Sequence, residues 1–287
     1  MDGILTKRQN SVVFDLISGL ERRKMRRKSS GRFSQCLNLN EMIPRMNEKH
    51  FGIARILNKR GFCSRAKAES LVCEGRVAWN GKVVVDPETP VPMNAEISVD
   101  GVPVLPAALL YFALNKPRGI VATASDERGR KTVLDLVAGK FQQHVFPVGR
   151  LDKASEGLLL MTNDTAFADR ILSPKSHLEK EYHVQIHRKP SDQEMRQMQS
   201  GVLVPPRVFG MPFEKMRMER VKILRCGKKT CWLSVVLNEG KNREIRRILE
   251  FLNISVLRLV RVRIGKWTLG NLKPGEIRRL SLDETGA

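Results

Sequence analysis

Pro147-Val148-Gly149-Arg150-Leu151-Asp152-Lys153-Ala154-Ser155-Glu156-Gly157-Leu158-Leu159-Leu160-Met161-Thr162-Asn163-Asp164 sets one arginine and one aspartate on a loop directly before an apolar strand. A loop anchored on a buried strand can keep a reacting group exposed and still. Local chemistry leaves Asp152 with duller roles as well: a cap, or a partner for Arg150.

Two later segments carry comparable information. Lys180-Glu181-Tyr182-His183-Val184-Gln185-Ile186 alternates as a strand should, with Tyr182, Val184 and Ile186 on one face. Asn238-Glu239-Gly240-Lys241-Asn242-Arg243-Glu244-Ile245-Arg246-Arg247-Ile248-Leu249-Glu250-Phe251-Leu252 opens with a glycine-containing turn and continues as an amphipathic helix. Ile245, Ile248, Leu249 and Leu252 form its apolar face; Arg243, Arg246, Arg247 and Glu250 form the polar one. For Arg243 and Arg247 the choice between RNA contacts and solvated helix charges stays open.

Upstream, Ile53, Ile56 and Leu57 have helical spacing. Arg60-Gly61-Phe62-Cys63 breaks that helix, Ser64 caps a second one, and Gly75 stops it. Val77-Ala78-Trp79 and Val83-Val84-Val85 then flank Asn80-Gly81, a strong hairpin signal. Prolines 87, 90, 92, 103 and 106 follow, and a linker near 104–108 is the expected boundary before the strand Tyr111-Phe112-Ala113-Leu114. The reading is a basic N-terminal extension over 1–47, a small domain over 48–105 and a larger α+β domain over 106–287. In the extension, the cluster from Arg22 to Arg32 reads as a flexible arm that contacts phosphates. Met46 as the true start of translation is a second reading, and a transit peptide, weakened by Asp2, Asp15 and Glu21, a third.

The chain has 51 Lys and Arg against 30 Asp and Glu, a net charge of +21, which points to a polyanion as partner and argues against an apolar or cationic one. Residues 106–287 alone hold 33 basic and 19 acidic residues, so the excess belongs to the larger domain rather than to a tail. No apolar run approaches the roughly 20 residues that cross a bilayer, and the start lacks a secretory apolar core; a soluble cytoplasmic protein without membrane association is expected. The five cysteines, Cys36, Cys63, Cys73, Cys226 and Cys231, lack paired C-x-x-C spacing and read as reduced thiols, with no structural zinc; a Cys226–Cys231 pairing is the minor alternative.

The segment from Ile56 through Gly61-Phe62-Cys63-Ser64-Arg65, Gly75-Arg76-Val77 and Asn80-Gly81 resembles the S4-type RNA-binding domain. The stretch around Gly149-Arg150-Leu151-Asp152 is similar to the signature of pseudouridine synthases, specifically the bacterial branch that carries such a domain and modifies ribosomal RNA. Lys180-Glu181-Tyr182, Glu239 to Arg247, Leu257 to Gly265 and Leu272 to Glu276 agree with that branch, so the resemblance spans nearly all of residues 50–280.

The resemblance implies a mixed, largely antiparallel sheet in the larger domain. It implies Asp152 as the nucleophile, Tyr182 against the target base, and Arg246 paired with the Asp152 carboxylate. Arg150 would fill the stack vacated by a flipped uridine, and no cofactor or metal would take part. Lys116, Arg55, Lys59, Arg60, Arg65, Lys67, Arg76 and Arg243 are the further expected RNA contacts. The partner would be ribosomal RNA or a ribosome assembly intermediate, met by a monomer. Glu239 to Arg247 looks closer to the large-subunit enzymes. Two rivals remain: a non-catalytic RNA-binding or ribosome-assembly protein, which leaves the three motifs unexplained, and a glycosidase using Asp152 and Glu156 as paired carboxylates, for which +21 has no use.

Overall fold

The computed structural model describes residues 49–285 apart from 124, 125, 127 and 209; the expected basic arm over 1–47 lies outside the described residues.

The first two helices, α1 (Ile53–Lys59) and α2 (Arg65–Cys73), follow from the helical spacing of their apolar residues. Ile53, Ile56 and Leu57 bury one stripe of α1 against Ala68, Leu71 and Val72 of α2. The Ser64 side chain accepts from the Lys67 amide at 3.3 Å, satisfying one donor that the start of α2 leaves open. Strands β1 (Val77–Trp79) and β2 (Lys82–Val84) are joined by Asn80 and Gly81 at φ 49° and 76°, the left-handed pair that a tight two-residue hairpin turn demands. With β3 (Ile97–Val99) and β4 (Val102–Pro103) they make a four-stranded sheet ordered β2-β1-β3-β4.

Arg60 needs correcting. It is 5% exposed, and its guanidinium donates to the carbonyls of Val104 (2.7 Å), Met93 (3.0 Å) and Ala95 (2.5 Å). A buried cation whose two terminal nitrogens are bonded to backbone oxygens ties the end of this small sheet to α1 rather than facing RNA.

The larger part is built on a nine-stranded sheet. Its main strands are β5 (Tyr111–Lys116), β6 (Glu156–Thr162), β7 (Lys180–Ile186), β8 (Arg220–Cys226), β9 (Cys231–Leu237), β10 (Val256–Ile264) and β11 (Ile277–Arg279). The order is β8-β9-β7-β10-β6-β5-β11, with β10 and β6 parallel and the other neighbours in this order antiparallel. The mixed, largely antiparallel α+β domain expected from the sequence is therefore present.

The longer helices that cover the sheet are α3 (Thr165–Leu172), α4 (Asp192–Ser200) and α5 (Glu244–Phe251), and the short helical turn Val133–Val137 packs on Phe112, Leu114, Leu159 and Met161. On one face, Tyr182, Val184, Ile186, Leu233, Val235 and Leu259 pack under Met198 of α4 and Ile245, Ile248 and Leu249 of α5. On the other, Leu158 and Leu160 pack under Phe167, Ala168 and Ile171 of α3. The polar face expected for α5 is corrected at Arg247, which is 9% exposed and donates to Glu214 (2.9 Å) and the Pro205 carbonyl (3.0 Å).

Cys226 and Cys231 are bonded to each other, against the expectation of free thiols. They are cross-strand partners at the end of the β8–β9 hairpin, so register brings them together; Cys63 and Cys73 are free. Among the described residues no helix is long and apolar enough to cross a membrane.

Candidate active site

Sheet register builds the floor of the site. Lys116 lies opposite Gly157, Gly157 opposite Arg261, and Arg261 opposite Tyr182, so four strands contribute one residue each to a single row on the α5 side of the sheet. Residues directly opposite share a face. Gly157 leaves the middle of this row bare, and the loop that carries Asp152 runs directly into it.

That loop is held at several points. The Ser155 amide donates to the Asp152 carbonyl at 2.9 Å, closing a turn, and the Gly119 amide donates to the Lys153 carbonyl at 2.8 Å. From below, Arg261, itself 5% exposed, donates to the Leu158 carbonyl (2.8 Å) and the Arg150 carbonyl (3.4 Å). Arg246 reaches over from α5 to the Ala154 carbonyl (3.2 Å) and the Ser155 hydroxyl (3.4 Å). Leu151 is buried in the core beneath α5. The Asp152 carboxylate is thus presented at a fixed height, about one third exposed.

Its ion-pair partner differs from the expectation. Arg243 Nη1 lies 3.2 Å from Asp152 Oδ2, while Arg246 is engaged with the loop's backbone and Ser155. Arg243 sits just before α5 at φ 52°, ψ 32°, a left-handed conformation. A non-glycine residue in that region is uncommon.

Lys116 is also corrected. It is fully buried, and its ammonium donates to the carbonyls of Pro117 (3.0 Å) and Ile120 (2.7 Å) rather than standing ready for RNA. Burial pushes that ammonium down to about 8, with the charges of Asp152 and Glu156 working against the shift and that of Arg261 adding to it. Burial, then the nearby charge of Arg243, also lowers Arg246, which the Asp152 charge opposes.

Glu244, the first residue of α5, is pushed up to about 7, mainly by burial, with the Lys241 charge and amide opposing. A carboxyl raised above its unfolded value adds stability below pH 4.5, and that contribution is lost as pH rises through 7. Glu244→Gln is therefore expected to raise stability at pH 8 relative to pH 4.5 by on the order of 2 kcal/mol. Urea unfolding at the two pH values checks this.

Tyr182 is 8% exposed and packs in the core beside Leu151, whereas Arg150 is exposed. The two carboxylates of the glycosidase reading do not form a pair: Asp152 is held by Arg243, and Glu156 by Arg258 at 2.7 Å. Of the six basic residues expected on the small domain, Arg60 is buried. Arg65 is paired with Glu69 and Glu88, and Arg76 with Asp100 and Glu74. Arg55 and Lys59 lie over the Phe51 ring, and Lys67 is exposed. Arg261 was missed by sequence reasoning. Its signal was an arginine in phase with core-facing Leu259.

The family model for RNA pseudouridylate synthase matches residues 110–251, and that for the S4 domain matches residues 52–97. An uncharacterized RNA pseudouridine synthase of Rickettsia conorii is 36% identical over 235 residues, which cover 80% of this chain and 96% of that one. The chain belongs to the RNA pseudouridylate synthase family. A ribosomal large subunit pseudouridine synthase B of Bacillus subtilis is 33% identical over 234 residues, 81% of this chain and 93% of the relative. A crystal structure of a pseudouridylate synthase superposes with a TM-score of 0.55 at 25% identity, covering 82% of this chain and 98% of the other. The protein is thus an RNA pseudouridine synthase, an isomerase with an N-terminal S4 domain.

Proposed function

We propose that this synthase converts one uridine of large-subunit ribosomal RNA to pseudouridine in the cytoplasm, with Asp152 as nucleophile, acting as a monomer on ribosomal RNA or an assembly intermediate. The observation that carries the reading is the placement of Asp152 on a braced loop above the row Lys116, Gly157, Arg261 and Tyr182. The reaction breaks the bond from ribose to the uracil nitrogen, turns the base and rejoins it through a ring carbon. It is redox-neutral and starts from a nucleophile attacking either the sugar or the base.

The uridine must first leave its stack, at a cost of a few kcal/mol that protein contacts offset. Arg150, exposed beside Asp152, fills the vacated place. Tyr182 lies against the uracil and assists removal of the proton from the ring carbon. Arg243 orients the carboxylate, and Arg246 holds the loop that carries it. The domains act as read from the sequence, 48–105 gripping RNA and 106–287 reacting, with Arg55, Lys59 and Lys67 meeting phosphates. The large-subunit assignment draws on the motif from Glu239 to Arg247 and on the name of the Bacillus subtilis relative.

Chemical mapping of pseudouridine in both ribosomal RNAs, from cells with and without the gene, tests this. Loss of one large-subunit site is expected. An unchanged pattern in both RNAs would favour a non-catalytic binder. Affinity for that RNA should also fall steeply with salt, by about 0.7 to 0.9 log units per neutralised phosphate for each tenfold rise; a flat response in a filter-binding titration would contradict the basic-surface account.

A further inference from the structure

The sheet has a second face, and half of it is uncovered by any helix among the described residues. Register lays its side chains out in rows. Arg225 lies opposite Trp232, Trp232 opposite Gln185, and Gln185 opposite Arg258. In the next row Lys222 lies opposite Ser234, Ser234 opposite His183, and His183 opposite Val260. These residues alternate with Cys231, Leu233, Val235, Val184 and Leu259, which are buried beneath α4 and α5 on the Asp152 side. The rows therefore face away from the catalytic loop.

Glu181 on this face accepts from the Ser234 hydroxyl at 2.8 Å and pairs with Arg263, so the unbalanced positive charge is confined to the hairpin end. Residues 220–232 contain Arg220, Lys222, Arg225, Lys228 and Lys229 and no acidic residue. Arg220 is paired with Glu179 and Arg258 with Glu156. The cross-strand neighbours of Lys222 and Arg225 are a serine and a tryptophan, so no carboxylate stands across from either. Lys222, Arg225, Lys228 and Lys229 are all exposed. Between them and Arg258 sits half-buried Trp232, with the guanidinium carbons of Arg225 and Arg258 at 5.8 and 5.9 Å from its ring centroid.

A half-buried indole flanked by two guanidiniums, beside lysines with no carboxylate directly across from them, suits a polyanion with stackable rings. Phosphates take the lysines and Arg225, while a base stacks on the indole or on a guanidinium plane. An acidic peptide would satisfy the charges but leave the ring without a matched partner.

We propose that the outer face of the β8–β9 hairpin, centred on Trp232 with Lys222, Arg225, Lys228 and Lys229, is a second RNA-binding surface that grips an unpaired strand outside the catalytic cleft. It rests on RNA being the substrate. An enzyme that must open one uridine out of a folded RNA gains from holding the flanking strand on a surface that does not compete with the cleft. The grip adds affinity by making the second contact intramolecular.

The test uses the full chain and a fluorescein-labelled oligouridylate of twenty nucleotides, followed by anisotropy across a salt series. Two variants are compared with the wild type: R225E/K228E/K229E and W232L. The triple variant is expected to bind at least about tenfold more weakly at low salt, and its salt slope should shrink by about 2, near 0.7 for each single-strand phosphate that the protein no longer neutralises. W232L is expected to bind about fivefold or more weakly with an unchanged slope, as removal of a stacking platform would make it. Unfolding midpoints near the wild-type value exclude a folding defect; if the triple variant fails to fold, W232L alone decides.

Wild-type affinity and slope in folded variants would overturn the second surface, including the case in which an acidic peptide binds there instead. If the wild type modifies ribosomal RNA while the variants bind as it does, only this surface is refuted. If the wild type modifies no uridine at all, the proposed function has failed first.

Discussion

Asp152→Asn is expected to abolish isomerisation while leaving RNA affinity within about twofold of the wild type. The substitution keeps size and removes charge, so Leu151 stays buried, the turn from Asp152 to Ser155 stays closed, and Arg246 and Arg261 still hold the loop by their bonds to its backbone. What disappears is the attacking oxygen and its pairing with Arg243. Removal of a group that forms the covalent bond costs about 10⁴-fold or more in rate. Single-turnover conversion of purified ribosomal RNA measures the first quantity, and filter binding the second. Parallel loss of both would make Asp152 a structural residue.

Gly157→Ala carries the largest expected effect on the fold. Gly157 has φ +102° and sits in the parallel pair with Arg261, where a Cβ would be driven into the Arg261 carbonyl oxygen and would come within 2.8 Å of its amide nitrogen. Neither is the free end of a side chain that could swing away. The β6–β10 junction must part, and with it the row that floors the site. A loss of about 3 kcal/mol or more is expected, the sum of a left-handed alanine and a broken close approach. Urea denaturation checks it; a cost under about 1 kcal/mol would mean that the strands separate there without consequence, against the account of the floor. Arg261 should then lose its bonds to Leu158 and Arg150, so residual activity should fall further than stability alone explains.

Periodic features were legible in the sequence. The stripe Ile53, Ile56, Leu57, the Ser64 cap, the Asn80-Gly81 turn and the alternation around Tyr182 each arise from neighbours a few residues apart, and each took its expected form. Asp152 was legible only as a motif. Register between distant strands was not legible. Nothing local says that Lys116, Gly157, Arg261 and Tyr182 form one row, because that depends on pairings across four strands and on a bulge between Glu181 and Tyr182. The same bulge places Arg261 on the site's face and Arg263 opposite Glu181 on the other, where simple alternation would have put both together.

Burial was the other blind spot. Arg60, Lys116 and Arg247 have the sequence character of surface charges because basic residues usually are, yet backbone carbonyls hold the first two inside, and a carboxylate and a carbonyl the third. Arg243 meets Asp152 from a left-handed backbone position, which the string Lys241-Asn242-Arg243-Glu244 does not announce. The Cys226–Cys231 bond likewise follows from hairpin register rather than from a spacing rule.

The most direct test of the central claim is the pseudouridine map of ribosomal RNA from cells lacking the gene, complemented in parallel with the wild-type chain and with Asp152→Asn at equal abundance. One uridine should be unmodified in the deletion, restored by the wild type and left unmodified by Asp152→Asn; restoration by Asp152→Asn, or a map unchanged by the deletion, would contradict the account.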